Sequence, residues 1–193
     1  MKPWKLSGLA LCMISAVICS AFAEEDAAPR AAESRAVIKS FAGELQAALK
    51  SAMESGGPVK AIAVCNEKAP AIAAKHGEAK GWEVGRTSLK YRNPDNAPDQ
   101  WEEAVLQRFD QRKAAGEDPA KMDFGEFTEL DGKNVFRYMK AIPTAEVCLN
   151  CHGGDTVKPE VEARLGELYP DDKARGFSVG DIRGAFTIIQ PTE

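Results

Sequence analysis

Between residues 28 and 55 the apolar side chains Ile38, Phe41, Leu45, Leu49 and Met53 recur at three- and four-residue steps. That spacing lays one apolar stripe along a helix and predicts a long amphipathic helix. Gly56 and Gly57 stop it, and Pro58 suits the first position of a second helix. On this second helix Ile62, Cys65, Ala69, Ile72 and His76 share one face, so Cys65 is expected to point inward. Pro70 lacks an N–H and crowds the preceding turn, which predicts a kink or split there.

Beyond residue 80 the period changes. Residues 81–91 read as a strand, followed by a loop, R-N-P-D-N-A-P. Asp99 with Glu102 three positions on resembles a capping box for a helix to about Ala115, which Gly116 ends. Residues 123–141 read as a hairpin turning at Asp131-Gly132. Its second arm places Val135, Arg137 and Met139 on one face, with Phe136, Tyr138 and Lys140 on the other. Residues 148–152 suit a short helical turn with Thr144 as a candidate cap. A short helix after Pro159 and a last strand, I-R-G-A-F-T-I-I-Q, complete the pattern. Few parallel crossovers are implied, so the fold class expected is α+β with an antiparallel sheet. Trp82, Phe136, Tyr138, Phe177 and Phe186 are expected in its core.

The first residues read as a secretory signal peptide. Lys2 and Lys5 give a basic start, Leu6 to Phe22 is apolar, and Ala21-Phe22-Ala23 is a small-x-small cleavage site followed by Glu24, Glu25 and Asp26. The expectation is cleavage after Ala23, export to the periplasm, and a single domain over 24–193 with no integral membrane segment left. The full chain has 25 basic and 29 acidic residues. Losing Lys2 and Lys5 leaves 23 basic against the same 29 acidic, a net charge of −6. That balance argues against nucleic-acid binding.

The most specific chemical signal is C-L-N-C-H, Cys148 to His152. C-x-x-C-H is the attachment sequence of a c-type haem. Two thiols three residues apart lie on one face of a helical turn. From there each can form a thioether with one vinyl group of a single porphyrin, and the adjacent His152 can serve as an axial ligand. A structural zinc needs four ligands, and no second C-x-x-C or H-x-x-x-H is present. A thioredoxin-like site sits after a strand in a βαβ pattern, whereas this one follows Pro143 near the end of the sequence. One haem, bound through Cys148 and Cys151, is therefore expected.

Cys12 and Cys19 would leave with the signal, so Cys65 is left over in an oxidising compartment. Three readings stand: an inert core thiol, a bridge to another chain, or the second axial ligand. The rivals for that ligand position are His76, Met53, Met122 and Met139. His76 lies eleven residues after Cys65, about 16 Å along an unbroken helix, so only one of the two could reach the iron. Arg86 and Arg92 flank the strand and the turn. They are candidates for two-pronged bonds to haem propionates, against the simpler reading of surface ion pairs.

Several strings together resemble the PAS-like c-type haem domains with His/Cys axial ligation. They are A-I-A-V-C-N-E-K-A-P around Cys65, V-G-R-T-S-L-K-Y-R-N-P-D-N-A-P-D-Q-W-E around Arg86, F-R-Y-M-K-A-I-P, C-L-N-C-H-G and Y-P-D-D-K-A-R-G-F-S-V-G-D-I-R-G-A-F. The resemblance covers about residues 35–190. It implies a PAS-like antiparallel sheet flanked by helices, with His152 and Cys65 as the two axial ligands and a role in redox sensing or electron transfer. The expected function is thus a periplasmic monohaem cytochrome working with a redox partner or a separate signalling protein, and not an enzyme. The alternative is a sensor of gases or small ligands in which Cys65 is displaced. A peroxidase needs an open iron position and a distal acid–base group, for which His76 is the only spare histidine. A haem-free redox or metal-binding module is the fourth reading.

Overall fold

The computed structural model describes residues 15–192, with side chains from residue 27 onward. The elements are α1 (Ser15–Ala63), a π-helical turn (Val64–Lys68), α2 (Ala69–Glu78), β1 (Glu83–Thr87), α3 (Gln100–Ala114), β2 (Asp123–Leu130), β3 (Lys133–Pro143), α4 (Leu149–His152), α5 (Pro159–Leu168) and β4 (Ile182–Pro191). The four strands form one antiparallel sheet in the order β1-β4-β3-β2.

The sheet is covered on both faces. On one, Val37 and Ile38 of α1 pack on Phe136, Tyr138 and Ile188, and Phe41 packs with Ile72 and Ala73 of α2. On the other, Val105, Leu106 and Phe109 of α3 pack on Met122, Met139, Ala141 and Ala185. The strand alternation of β3 assigns these faces, since Phe136 and Tyr138 point one way and Met139 and Ala141 the other. Each such buried side chain contributes roughly 1.5–3 kcal/mol. Tyr138 also donates its hydroxyl to Asp123 Oδ2 at 2.6 Å, and Arg35 of α1 donates to the same oxygen at 2.7 Å, tying helix to sheet.

Several expected features are present. α1 breaks at Gly56 and at Gly57, whose φ of 68° favours glycine. The capping box of α3 is formed in both directions, with the Asp99 side chain accepting from Glu102 N at 2.8 Å and Asp99 N donating to Glu102 Oε2 at 3.2 Å. Asp131 and Gly132 both have positive φ, as the two-residue hairpin turn requires.

Others differ. The long helix is already formed at Ser15, the first described residue, well before residue 28. The strand expected over 81–91 is only Glu83–Thr87, because Gly81 is a turn and Ser88 N is drawn away to Asn96 O. Thr144 caps nothing. Its backbone is bonded to Asp181 and Gly180 in extended chain, which leaves Ala145 to precede the helical turn. The helix expected from Pro58 onward changes to a π turn at Val64–Lys68, where Ala69 N reaches back five residues to Val64 O. That widened turn stands directly before Pro70 and takes up the ring that an α-turn would exclude. The Lys2 and Lys5 start and most of the apolar stretch of the expected signal peptide lie outside the described residues. Among the described residues no helix is long and apolar enough to cross a membrane.

Candidate functional site

The chain leaves β3 at Pro143, forms a 3₁₀ turn at Glu146–Cys148 and continues directly into α4. Cys148 and Cys151 therefore stand on one continuous helical turn, both partly exposed and neither in a disulfide. Cys148 Sγ accepts from Ala145 N at 3.4 Å. Cys151 packs against Ile62, Val157, Val161, Leu165 and Tyr169, so its turn is seated between the end of α1 and α5.

His152 closes the turn with its ring oriented. Its Nδ1 lies 3.0 Å from the Ala174 carbonyl. A carbonyl only accepts, so Nδ1 carries the proton and the Nε2 lone pair is left for a ligand bond. Phe177 meets the imidazole edge-on at 6.2 Å between centroids. Burial pushes the His152 pKa well below the ordinary histidine value, and the nearby Arg183 and Arg92 charges push it further, keeping the ring neutral. The segment 169–177 wraps the turn from outside, with Phe177 N donating to His152 O and Gly176 N to Gly153 O, each at 2.9 Å.

Arg92 locks this wrap. It is 8% exposed. Its Nε donates to Asp172 Oδ2 at 3.0 Å, and its Nη2 donates to Cys151 O at 2.6 Å and Ala174 O at 3.3 Å. Asp172 also accepts from Arg175 Nε at 2.7 Å and from Ala174 N at 2.8 Å, and Arg175 pairs in turn with Glu162 of α5. Burial pushes the Asp172 carboxyl up, but the bonds from Arg92, Ala174 N and Arg175 outweigh it and hold the group below the usual carboxylate range.

Cys65 sits on the π turn, partly exposed. It is not a sealed core thiol. It lies near enough to Arg86, Tyr169, Cys151 and Arg183 to bear on their charges, so the π turn, β1, the Cys148–His152 turn and the start of β4 come together. Arg86 shares a sheet face with its cross-strand partner Phe186, the face covered by α1 and α2. Among the described residues no three His, Cys, Asp or Glu side chains form a cluster suited to a bare metal ion.

The structure separates the other candidates from this site. His76 Nε2 lies 3.1 Å from Glu44 of α1, at the far end of α2. Met122 and Met139 are fully buried under α3, on the sheet face away from Cys65, and Met53 packs inside the α1 bend with Ala52 and Val64. Arg92 is neither a surface ion pair nor an open carboxylate partner, because its bonds go to Asp172 and to two backbone carbonyls. Sequence reasoning missed Asp172, Arg183 and Tyr169, although the string Y-P-D-D-K-A-R-G followed by D-I-R-G carries all three.

None of the curated proteins matches the chain. A solved structure, that of the cyanobacterial heme-protein Tll0287, superposes with a TM-score of 0.65 at 27% sequence identity, covering 84% of this chain and 94% of that one. The profile of the Tll0287-like family matches residues 20–191. The chain belongs to the Tll0287-like family.

Proposed function

We propose that this chain is a periplasmic monohaem c-type cytochrome, built on a PAS-like domain, that carries or senses single electrons. The observation that carries the reading is the His152 Nδ1–Ala174 carbonyl bond, which fixes the tautomer and aims Nε2 as an iron ligand directly after two thiols in attachment spacing. The residues fit the group in three further respects. Cys65 supplies a thiol from an independent segment. Buried cationic side chains surround it. The relative of known structure is a haem protein.

When bound, haem c supplies a one-electron Fe(III)/Fe(II) couple. The chain's own residues do the rest. Cys148 and Cys151 fix the macrocycle to a turn that Arg92 and Asp172 hold rigid. His152 remains a neutral donor. Cys65 would be the second iron ligand, and as a thiolate it would favour the oxidised iron. Ligation by both His152 and Cys65 would suit a carrier or sensor that works with a separate partner protein. Displacement of Cys65 by a small ligand is the second reading, favoured by the partial exposure of Cys65 on its π turn.

The test is mass and absorption spectroscopy on protein exported in a host with haem-maturation machinery. The chain is expected to begin at Glu24 and to keep one haem through denaturation, with a low-spin thiolate spectrum. Cys65→Ala should retain the haem but lose the thiolate signature. A mass equal to the bare polypeptide would overturn the proposal. Carbon monoxide binding to the wild type would move it to the second reading.

A further inference from the structure

The positive charges around the site are not balanced. Arg92 and Arg175 are answered by Asp172 and Glu162. Arg86 and Arg183 are not, and among the described residues neither has a carboxylate within salt-bridge distance. Arg183 at the start of β4 donates from Nη1 to Ser88 Oγ at 3.1 Å and to Lys90 O at 3.3 Å. Its Nε is buried with no partner at all. Its guanidinium stacks over Phe177 at 5.3 Å, and Phe177 in turn meets His152.

Backbone geometry holds it there. Gly184 has a φ of 154°, and a Cβ on it would lie 2.3 Å from Thr87 O. Only glycine lets β4 close on the end of β1 at this point, which brings Arg183 beside Ser88 and onto the strand that carries Arg86. Burial pulls both guanidinium pKa values down, Arg183 to about 10, where Arg92 and Arg86 add like-charge repulsion. Both arginines are half-buried with no carboxylate on them, and the Arg183 Nε is sealed from water, so this arrangement suits an anionic ligand.

We propose that Arg86 on β1 and Arg183 on β4 form the receptor for the two haem propionates, while Arg92 is taken up by Asp172 and the backbone of the Cys151 turn. The inference rests on the haem reading above and adds to it. Two unanswered arginines match two carboxylates in charge, and their guanidinium forks match them in shape. The pair would also bias the redox balance, because two cations near the haem edge would favour the reduced form.

The test uses the haem-loaded protein and two variants, Arg86→Gln and Arg183→Gln, with Arg183→Lys as a charge-retaining partner. Each Gln variant should keep its covalent haem by mass and its axial-ligand spectrum. At a fixed ambient potential its Fe(III)/Fe(II) ratio should rise at least threefold, and Arg183→Lys should recover most of that change. An unchanged ratio in both Gln variants would overturn the inference, as would an equal shift in Arg183→Lys. If Arg86→Gln altered the thiolate spectrum, Arg86 would be assigned to Cys65 and its part in the receptor rejected. Loss of all haem from the wild type would instead overturn the underlying haem reading. The mass measurement separates those two failures.

Discussion

Asp172→Asn tests whether the wrap around the attachment turn is an energetic keystone. The carboxylate is almost sealed, with its side chain 6% exposed and that of Arg92 8% exposed. The substitution keeps one acceptor, enough for Ala174 N, but takes the counter-charge from a buried guanidinium. Breaking a buried pair in this way costs about 3–5 kcal/mol, against a total stability of about 5–15 kcal/mol. For a domain of this size each kcal/mol moves the melting temperature about 2–4 °C, so a fall of roughly 6–20 °C is expected. The assay is thermal and urea unfolding followed by circular dichroism. Asp181→Asn is the control, since its pair with Lys113 is about one-third exposed and worth about 0–1 kcal/mol. Hydrogen exchange should also quicken at residues 149–153 and 174–177, where Arg92 and the wrap supply the bonds. A loss below about 1 kcal/mol, or equal losses in the two variants, would refute the argument. The pH dependence has a definite sign. The Asp172 carboxyl is held below its ordinary value, so its contribution is complete above about pH 4 and is lost as pH falls through the folded-state value.

Other outcomes follow from the same geometry. His76→Ala should leave the absorption spectrum untouched, because its Nε2 is turned to Glu44 of α1 at 3.1 Å. Met139→Leu should cost less than about 1.5 kcal/mol as a volume-conserving core change, again with no spectral effect; a shifted spectrum would return Met139 to the ligand list. Asp99→Ala should cost at least about 0.5–2 kcal/mol by removing the α3 cap, with a further loss because its carboxylate pairs with the buried Arg137 at 2.7 Å, read by urea unfolding. Gly184→Ala should destabilise the fold and shift the reduction potential together, since it drives β4 off Thr87 O and carries Arg183 with it.

The helical turn that carries Cys148, Cys151 and His152 was legible because its spacing is local. Cys148, Cys151 and His152 are contiguous, and the spacing alone puts two thiols on one face. The helix, the capping box and the Asp131-Gly132 hairpin were legible for the same reason. What the sequence hid was long-range. Arg92 and Asp172 are eighty residues apart, and nothing in either neighbourhood says that they meet under a turn near residue 151. Arg92 therefore read as a propionate partner or a surface ion pair, and Arg183 was given no role. The length of β1 was overestimated because alternation continues past Thr87, whereas Ser88 and Lys90 turn their polar groups to Arg183 and the wrap. The inward direction of Cys65 was read from an unbroken α-period that the chain does not keep.

That broken period sets the direction of Cys65. Five residues fill the π turn, and its Ala69–Val64 bond spans one more residue than an α-turn would. The surplus residue is a phase slip. Residues before Val64 keep the rotation that packs Ile62 on α5, and residues after Lys68 keep the different rotation that packs Ile72 on Phe41. Cys65 belongs to neither lattice. Its direction is set by the slip itself, so the thiol can be aimed without disturbing the packing on either side. The helical period also becomes a length-sensitive element. Deleting a single residue between 64 and 68 would remove the surplus and restore a continuous α-helix with α2 near its present rotation, while Cys65 lost the direction that the slip gives it.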